Sequence, residues 1–413
     1  MNFDIIILAK QLDELTRCVI PVVYQLRRIT PDSRLIVMLL PSQESHRVVN
    51  VANKLEGVSL VLKPEESLNF LTKGKFPLNF PIDKQGAILS LTNNQVFAVN
   101  FSWRTNFPIF AYTDKYTFWH RWIYKIFLSN EMIYAQYRLK KIIPSKLDVI
   151  GDLTVDAINP SLLPLEARLQ FKLNPKIPVI AIIPDNNIKI IPFYFKIIEK
   201  IHKKYPNVQF IMPTTPFIVP DEISNQNLIR ENGYYYIKLN EYSVQLLPAT
   251  EKYNAYQVAD LAITPSPIVT EELTTMGVPM IFASSMSSGQ QNNKLINIPV
   301  IGKYFSKPVS NITDFISFPN IKSPNMLIPE YRDIDFIQTA SSPLEDIVNK
   351  TIELLNSHHL RREMTIKLKE YARPAGASER VVKILMQDLK NIYSSQGKQY
   401  FKNKKELKEE KLN

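Results

Sequence analysis

Cysteine and long apolar runs are scarce in this chain. Among its 413 residues, Cys18 is the only cysteine, which excludes an internal disulfide and a cysteine-based zinc site and fits a reducing compartment. The five histidines include no pair at metal-binding spacing, because His358 and His359 are adjacent and diverge on a helix. We therefore predict no metal and no cofactor.

No segment is long enough and apolar enough to suggest a membrane helix. The longest clean apolar run, Ile177 to Pro184, is far shorter than the roughly 18 residues of a membrane span. The first residues, MNFDIIILAK, place an acid before a short apolar run, which argues against a secretory signal. We therefore expect a cytoplasmic protein.

Positive charge is in excess, since 50 lysines and arginines face 39 acids and the formal net charge is +11. Such an excess favours anionic partners, namely nucleic acid, anionic lipid or nucleotide. None of the familiar nucleic-acid-binding modules appears in the sequence. We therefore predict no nucleic-acid partner.

The first third alternates short apolar runs with amphipathic stretches, which is typical of a doubly wound parallel sheet. Helices are predicted over Arg17 to Arg28, Ser45 to Leu55 and Thr117 to Leu128. Strands are predicted at Asp4 to Leu8, Leu35 to Leu40, Ala87 to Leu91, Val96 to Val99, Ile109 to Tyr112, Met132 to Ala135 and Leu147 to Ile150.

A proline-broken polar stretch between Gly151 and Pro178 separates this pattern from a second alternation of strands and helices. The chain then ends in three amphipathic helices and a polar tail. The predicted division is an N-terminal domain at 1–155, a linker at 156–177, a C-terminal domain at 178–373, a terminal helix at 374–395 and a tail at 396–413. Two α/β units joined in this way indicate an enzyme with an interdomain cleft, although non-catalytic binding proteins share the architecture.

The most informative segment is Ala259 to Phe282, in which a strand leads through a Ser/Pro/Thr loop into a helix. Backbone N–H groups at a helix N-terminus suit a diphosphate, and a carboxylate in the first turn, such as Glu272, can bind ribose hydroxyls. Alternatively, Thr270, Glu271 and Glu272 only favour the helix dipole.

An aromatic segment between Phe101 and Phe127 contains all three tryptophans, Trp103, Trp119 and Trp122, with cations such as Arg121 between them. This combination suits a lipid headgroup boundary or the entrance for a lipid acceptor. Aromatic residues at helical spacing are equally typical of a protein core, so both interpretations stay open.

Several short motifs are distributed along the chain. They are ADLAIT, TEEL and GVPMI within Ala259 to Ile281, Val149 to Asp152, Phe318-Pro319-Asn320 and Ile328-Pro329-Glu330. Together they resemble lipid-A-disaccharide synthase, and most closely the cyanobacterial-type branch of that family. The similarity extends from the first strand to the segment Gly376 to Arg380.

The resemblance implies an α/β GT-B fold, with two Rossmann-like domains whose parallel sheets face each other across a cleft and a last helix that crosses back to the N-terminal domain. It implies metal-independent, inverting sugar transfer from a UDP-sugar donor to a lipid-linked acceptor. The expected location is peripheral, at an anionic membrane surface on its inner face.

The resemblance also assigns candidate residues. Glu272 matches the ribose-contacting acid of the family, Pro184 opens the phosphate loop, and Asn320 and Glu330 match the uridine-side motif. The predicted nucleotide-sugar site comprises Pro184, Ser266, Thr270, Glu272, Asn320 and Glu330.

The phosphate loop departs from the family pattern, since Pro184 to Asn187 lacks both the glycine and the arginine that the family has there. Pro267 replaces another glycine and removes a backbone donor. The family's catalytic acid follows a central strand, but the corresponding stretch Val99 to Trp103 has no acid. An alternative hypothesis is therefore a catalytically degenerate GT-B scaffold that binds lipid or protein without turnover.

If a general base is present, it should be an acid near a strand end of the N-terminal domain. Glu14 follows the first strand and Asp114 follows the strand Ile109 to Tyr112, so these two are the catalytic candidates. The simpler interpretation is that Asp13 and Glu14 are first-turn helix acids.

Overall fold

The structure of the chain, a computed structural model, divides into two units. The first unit is Met1–Ala157 with Arg373–Asn413, and the second is Ile158–Ala372. The structure describes residues 3–42, 45–74, 85–113, 115–184, 190–214, 223, 227–239, 241–283 and 343–394.

The first unit is built on a parallel sheet, which has seven strands within the described residues. In space the strands follow the order β3-β2-β1-β4-β5-β6-β7, so the order reverses between β1 and β4. The strands are β1 Asp4–Ala9, β2 Arg34–Leu39, β3 Leu60–Leu62, β4 Gly86–Ser90, β5 Ile109–Thr113, β6 Lys125–Leu128 and β7 Leu147–Val149.

Helices flank this sheet, and the central strands are fully buried between them. A short turn, Leu12–Glu14, and a π-helical segment, Leu15–Val19, lead directly into the first long helix. The helices are α1 Ile20–Ile29, α2 Ser45–Ala52, α3 Pro64–Lys73, α4 Gln95–Thr105, α5 Glu131–Leu139 and α6 Leu153–Ala157.

Three predicted elements of this unit were wrong. Val96 to Val99 and Met132 to Ala135, predicted as strands, lie in α4 and α5. In α4 the buried positions recur at helical spacing, and in α5 the Asn130 side chain caps the helix by accepting a hydrogen bond from Ile133 N at 3.0 Å. The helix predicted over Thr117 to Leu128 is instead a 3-10 turn, Phe118–Arg121, followed by β6.

The second unit contains a mixed sheet, again with seven strands within the described residues. Its order is β10-β11-β12-β9-β8-β13-β14, and β11 alone runs in the direction opposite to the other strands. The strands are β8 Val179–Ile182, β9 Gln209–Pro213, β10 Leu228–Glu231, β11 Tyr234–Leu239, β12 Tyr242–Leu247, β13 Leu261–Thr264 and β14 Met280–Phe282.

The antiparallel edge corrects the prediction of a wholly parallel sheet, and β10 to β12 were not predicted. A tight turn at Asn232-Gly233, with φ of 51° and 86°, joins β10 to β11. Asn-Gly between two strands is a strong hairpin signal, because both residues tolerate positive φ. This dipeptide was therefore the sequence feature that could have predicted the edge.

Helices cover both faces of the second sheet. One face packs against α8 and α11, and the other against α7, α9, α10 and α12. The helices are α7 Pro164–Gln170, α8 Ile191–Lys204, α9 Lys252–Val258, α10 Pro267–Met276, α11 Pro343–Asn356 and α12 His358–Tyr371.

The last helix, α13 (Ala377–Tyr393), packs against α1 and α6 and so belongs to the first unit. Asp156 fixes its start by accepting hydrogen bonds from Gly376 N and Ser378 N, both at 2.6 Å. The Tyr393 hydroxyl donates to Gly86 O at 2.8 Å near the other end of α13. Within the described part of the chain, no helix combines the length and hydropathy that a bilayer crossing needs.

Candidate functional site

Strands β8 and β13 define the carboxyl edge of the second sheet at which its strand order reverses. They are parallel neighbours, and the helices that follow them, α8 and α10, lie on opposite faces. The Thr264 hydroxyl ties the two strand ends together by donating to Ile183 O at 3.0 Å. In open α/β sheets, ligands bind beyond the carboxyl ends of the strands at such a reversal.

Three of the predicted site residues meet at this edge. Pro184 is buried directly after β8, and Ser266 and Thr270 are 1% exposed at the start of α10. Ser266 is the N-cap residue of α10, and its hydroxyl accepts from Val269 N at 3.5 Å. The helix N-terminus therefore opens at the edge where a diphosphate was predicted to bind.

Glu272 is not in the first turn of α10, contrary to the prediction. The helix begins at Pro267, so Glu271 and Glu272 occupy its fifth and sixth positions. Glu272 is fully buried, whereas Glu271 is partly exposed. At this depth the helix dipole has little effect, so the dipole does not explain Glu272.

A lysine and a tyrosine from α9 surround the Glu272 carboxylate. Its Oε1 accepts hydrogen bonds from Lys252 Nζ at 2.7 Å and from the Tyr253 hydroxyl at 3.3 Å. The ammonium of Lys252 also lies 5.1 Å from the ring centre of Tyr253 and 5.7 Å from that of Tyr256. The ion pair thus joins the start of α9 to the second turn of α10.

Lys252 and Tyr253 were absent from the predicted site. They follow β12 in the chain, 20 and 19 residues before Glu272. Because β12, β9, β8 and β13 are parallel, the carboxyl ends of β12 and β13 lie at the same edge of the sheet. The helices that follow these two strands, α9 and α10, therefore begin near each other. No motif marks this pair in the sequence.

Glu14 lies at the corresponding edge of the first sheet, where the strand order reverses between β1 and β4. Its Oε2 accepts hydrogen bonds from Lys10 N at 2.6 Å and Gln11 N at 3.1 Å, as expected of a first-turn helix acid. The Thr92 side chain, which follows β4, also hydrogen-bonds to the carboxylate. Burial raises the pKa of the Glu14 carboxyl, and this outweighs the lowering effects of the Lys10 and Gln11 N–H groups, of Thr92 and of the Lys10 charge.

The segment after the central strand β4 runs from Leu91 to Asn94 and contains no acid. The stretch Val99 to Trp103, which was predicted to follow the central strand, lies within α4 instead. Glu14 therefore brings a carboxylate from the loop after β1 to the side of Thr92, at the end of the neighbouring strand.

The aromatic segment belongs mainly to the core of the first unit. Phe101, Phe110 and Phe127 are fully buried, and all three tryptophans are partly buried against the core cluster that contains Phe101. The predicted lipid-contacting residues are Trp103, Trp119 and Trp122, which are half-buried, and Arg121, which is exposed.

Three large apolar side chains, one in this segment and two at the end of α5 and just after it, are exposed, and they are called here the apolar patch. It consists of Phe118 and Leu139, each 83% exposed, and Ile143, which is 54% exposed. The Tyr116 ring lies between the two segments that carry the patch, 5.4 Å from the Phe118 ring and 5.3 Å from the Tyr137 ring. Leu139 and Ile143 were not among the predicted residues, because isolated apolar residues carry no surface signal in a sequence.

Three predicted site residues, Asp114, Asn320 and Glu330, lie outside the described residues, as does the loop segment 185–189.

Comparison with known proteins gives a partial sequence similarity and a full-length structural one. The chain is 24% identical over 247 residues to the lipid-A-disaccharide synthase of Geobacter metallireducens, which covers 58% of this chain and 56% of that protein. It is 23% identical over 250 residues to the Coxiella burnetii lipid-A-disaccharide synthase, with 57% and 56% covered. The matched part spans about half the length of these curated relatives. No protein-family model matches the chain.

Among solved structures, the S. aureus MnaA–UDP complex is similar with a TM-score of 0.59 and 12% identity, covering 95% of this chain and 97% of that one. The UDP-GlcNAc 2-epimerase of Neisseria meningitidis bound to UDP-GlcNAc has a TM-score of 0.56 and 12% identity, covering 93% and 100%. These similarities confirm the predicted α/β GT-B fold of two Rossmann-like units.

The raised pKa of Glu14 predicts a pH-dependent effect of the Glu14→Gln substitution. A folded-state pKa above the ordinary value of 4.5 means that the neutral carboxyl contributes stability below that value, and that this stability is lost as the pH rises through the folded pKa. The neutral amide should therefore stabilise the first unit at pH 7 to 8, by about 1.4 kcal/mol for each unit of pKa elevation.

Urea unfolding of the wild type and the Glu14→Gln variant between pH 3.5 and 8 measures this difference. The two curves should converge below pH 4.5, which serves as the internal control, and separate above it. A variant that is less stable than the wild type at pH 8 contradicts the assignment.

Proposed function

We propose that this chain is a glycosyltransferase of the lipid-A-disaccharide synthase type. It transfers a sugar from a UDP-sugar to a lipid-linked acceptor by an inverting, metal-independent mechanism. The observation that carries the proposal is the carboxyl edge between β8 and β13, where the start of α10 and the Glu272 carboxylate lie on one helix. The partial similarity to lipid-A-disaccharide synthases supports the same conclusion.

The donor site has two parts along α10. The Ser266 and Val269 N–H groups donate to the Thr264 and Ser266 hydroxyls, so the Ile268 N–H and the positive end of the helix dipole bind the diphosphate. Glu272, about 9 Å further along the axis at 1.5 Å per residue, accepts hydrogen bonds from the ribose hydroxyls. Asn320 and Glu330 complete the uridine side in this proposal.

Acceptor activation belongs to the first unit, with Glu14 as general base and Asp114 as the second candidate. The Glu14 carboxylate takes the proton of the acceptor hydroxyl as that oxygen attacks the anomeric carbon and UDP departs with the electrons of the glycosidic bond. Because burial raises its pKa, Glu14 binds a proton more readily at neutral pH than an exposed carboxylate does.

A second candidate function is a GT-B scaffold that binds lipid or protein without turnover. Specific features favour it: the loop after β8 lacks glycine and arginine, and Leu91 to Asn94 lacks an acid. Pro267 also removes one backbone donor from the first turn of α10.

Titration calorimetry with UDP separates the two functions. The Glu272→Ala variant should bind UDP at least tenfold more weakly, since a hydrogen bond to a charged group contributes about 1.5–3 kcal/mol. The neighbouring Glu271→Ala variant is the matched control and should bind like the wild type.

Transfer from UDP-GlcNAc to a lipid-linked glucosamine phosphate, measured on the same variants, then tests catalysis. Glu14→Gln should keep UDP binding and lose transfer. Unchanged UDP affinity in Glu272→Ala contradicts the proposed donor site, and a wild type that does not bind millimolar UDP favours the scaffold.

The exposed apolar patch of Phe118, Leu139 and Ile143 supports a peripheral position at an anionic membrane surface, on its inner face. Exposed cations, Arg121, Lys140 and Lys141, stand next to the patch residues in the chain. Apolar side chains that insert among lipid tails, with lysine and arginine at the headgroups, are the usual means of interfacial binding. Trp103, Trp119 and Trp122 then support the patch from the core side.

Sedimentation with phosphatidylglycerol vesicles measures this contact. Replacing both Phe118 and Leu139 with serine should weaken binding at least tenfold, because two large exposed apolar groups are lost. The matched control replaces Leu165 and Leu169, which are 59% and 57% exposed in the second unit, and should leave binding intact. Equal losses in both double variants contradict the assignment of the patch.

A further inference from the structure

Glu272, the proposed ribose-binding residue, is buried beneath its ion-pair partner Lys252. Its side chain is 0% exposed, while that of Lys252, whose Nζ lies 2.7 Å from Oε1, is 31% exposed. Lys252 thus stands between the carboxylate and solvent. A ribose hydroxyl therefore reaches Glu272 only if the Lys252 ammonium leaves that oxygen.

The displaced ammonium needs another anion. A lysine ammonium is a compact charge on a flexible four-carbon stem, so it can swing between neighbouring anions. Lys252 starts α9 at the same sheet edge as Ser266, which begins the proposed diphosphate site. Within residues 241–283, Lys252 is the only lysine or arginine, so no other cation of this stretch can serve a diphosphate.

We propose that Lys252 makes the site selective for nucleotides that carry a diphosphate. When such a nucleotide binds, the ribose hydroxyls replace the Lys252 ammonium as hydrogen-bond donors to Glu272, and the ammonium pairs with the diphosphate instead. This inference rests on the proposed UDP-binding function. It assigns to Lys252 both the shielding of the Glu272 carboxylate and the positive charge that an arginine of the phosphate loop supplies in the family that the sequence resembles.

The exchange keeps charges balanced only for a suitable ligand. With UDP, the carboxylate gains two hydroxyl donors and the ammonium gains a phosphate oxygen. With uridine alone, the ammonium loses its partner and receives none in return. Selectivity for UDP over uridine should therefore depend on Lys252, whereas simple shape recognition of uridine should not.

Calorimetric titration of UDP and uridine against the wild type and Lys252 variants tests this inference. Lys252→Met should bind UDP at least tenfold more weakly and uridine within threefold of the wild type, while Lys252→Arg should keep most of the UDP affinity. Lys176→Met, which removes an exposed lysine that precedes β8 at the opposite edge of the sheet, is the matched control and should bind UDP like the wild type.

Lys252→Met leaves a buried carboxylate without its cation, which can destabilise the fold. A second pair of variants avoids this effect. In a Glu272→Gln background no such charge remains. The double variant Lys252→Met with Glu272→Gln should bind UDP at least tenfold more weakly than Glu272→Gln alone.

Three results overturn the inference. UDP affinity that stays within twofold in Lys252→Met and in the double variant excludes the exchange. Equal losses for UDP and uridine show that Lys252 acts only on structure, and an equal loss of UDP affinity in Lys176→Met shows that the loss of any positive charge weakens UDP binding. A wild type that binds neither ligand refutes the proposed donor site itself, and is thereby distinguished from failure of the Lys252 inference.

Discussion

The buried ion pair between Glu272 and Lys252 is the constraint on which the second unit's functional edge depends. A carboxylate with no exposed surface is stable only when it is paired, and breaking such a pair by removing one partner typically costs about 3–5 kcal/mol. The pair therefore couples α9 to α10, which follow strands β12 and β13. Ser266 is the N-cap residue of α10, and Glu272 lies on the same helix. The coupling of α9 to α10 therefore fixes the positions of the α10 N-terminus and of the Glu272 carboxylate at the edge between β8 and β13.

Both units place a carboxylate where their strand order reverses, but the two environments differ. Glu272 forms an ion pair with the Lys252 ammonium, whose Nζ lies 2.7 Å from the carboxylate. Glu14 is held by backbone N–H groups and Thr92, and burial raises its pKa. Carboxylates in contrasting environments suit different tasks, one as a fixed acceptor of hydrogen bonds and the other as a proton acceptor. This division matches the roles proposed for donor binding and acceptor activation.

The parts that were predictable from the sequence are those encoded over short distances. Apolar runs predicted the strands β1, β2, β4 and β5, and periodicity predicted the amphipathic helices at the end of the chain. Short apolar runs such as Val96 to Val99 are compatible with either a strand or a helix. In the structure this run is helical, because the buried positions of α4 recur at helical spacing. Lys252 was unpredictable in principle, because its contact with Glu272 depends on the packing of two helices that begin after different strands. Likewise, only the packing of the first unit shows that the tryptophans lie against its core and that Phe118 is exposed.

The most direct test of the account is a crystal structure of the chain with UDP bound. We predict that the ribose hydroxyls contact the Glu272 carboxylate, that the diphosphate lies at the start of α10 near Ser266, and that Lys252 Nζ has left its position 2.7 Å from Glu272 Oε1. UDP bound elsewhere on the chain, with the Lys252–Glu272 pair intact, would contradict the account.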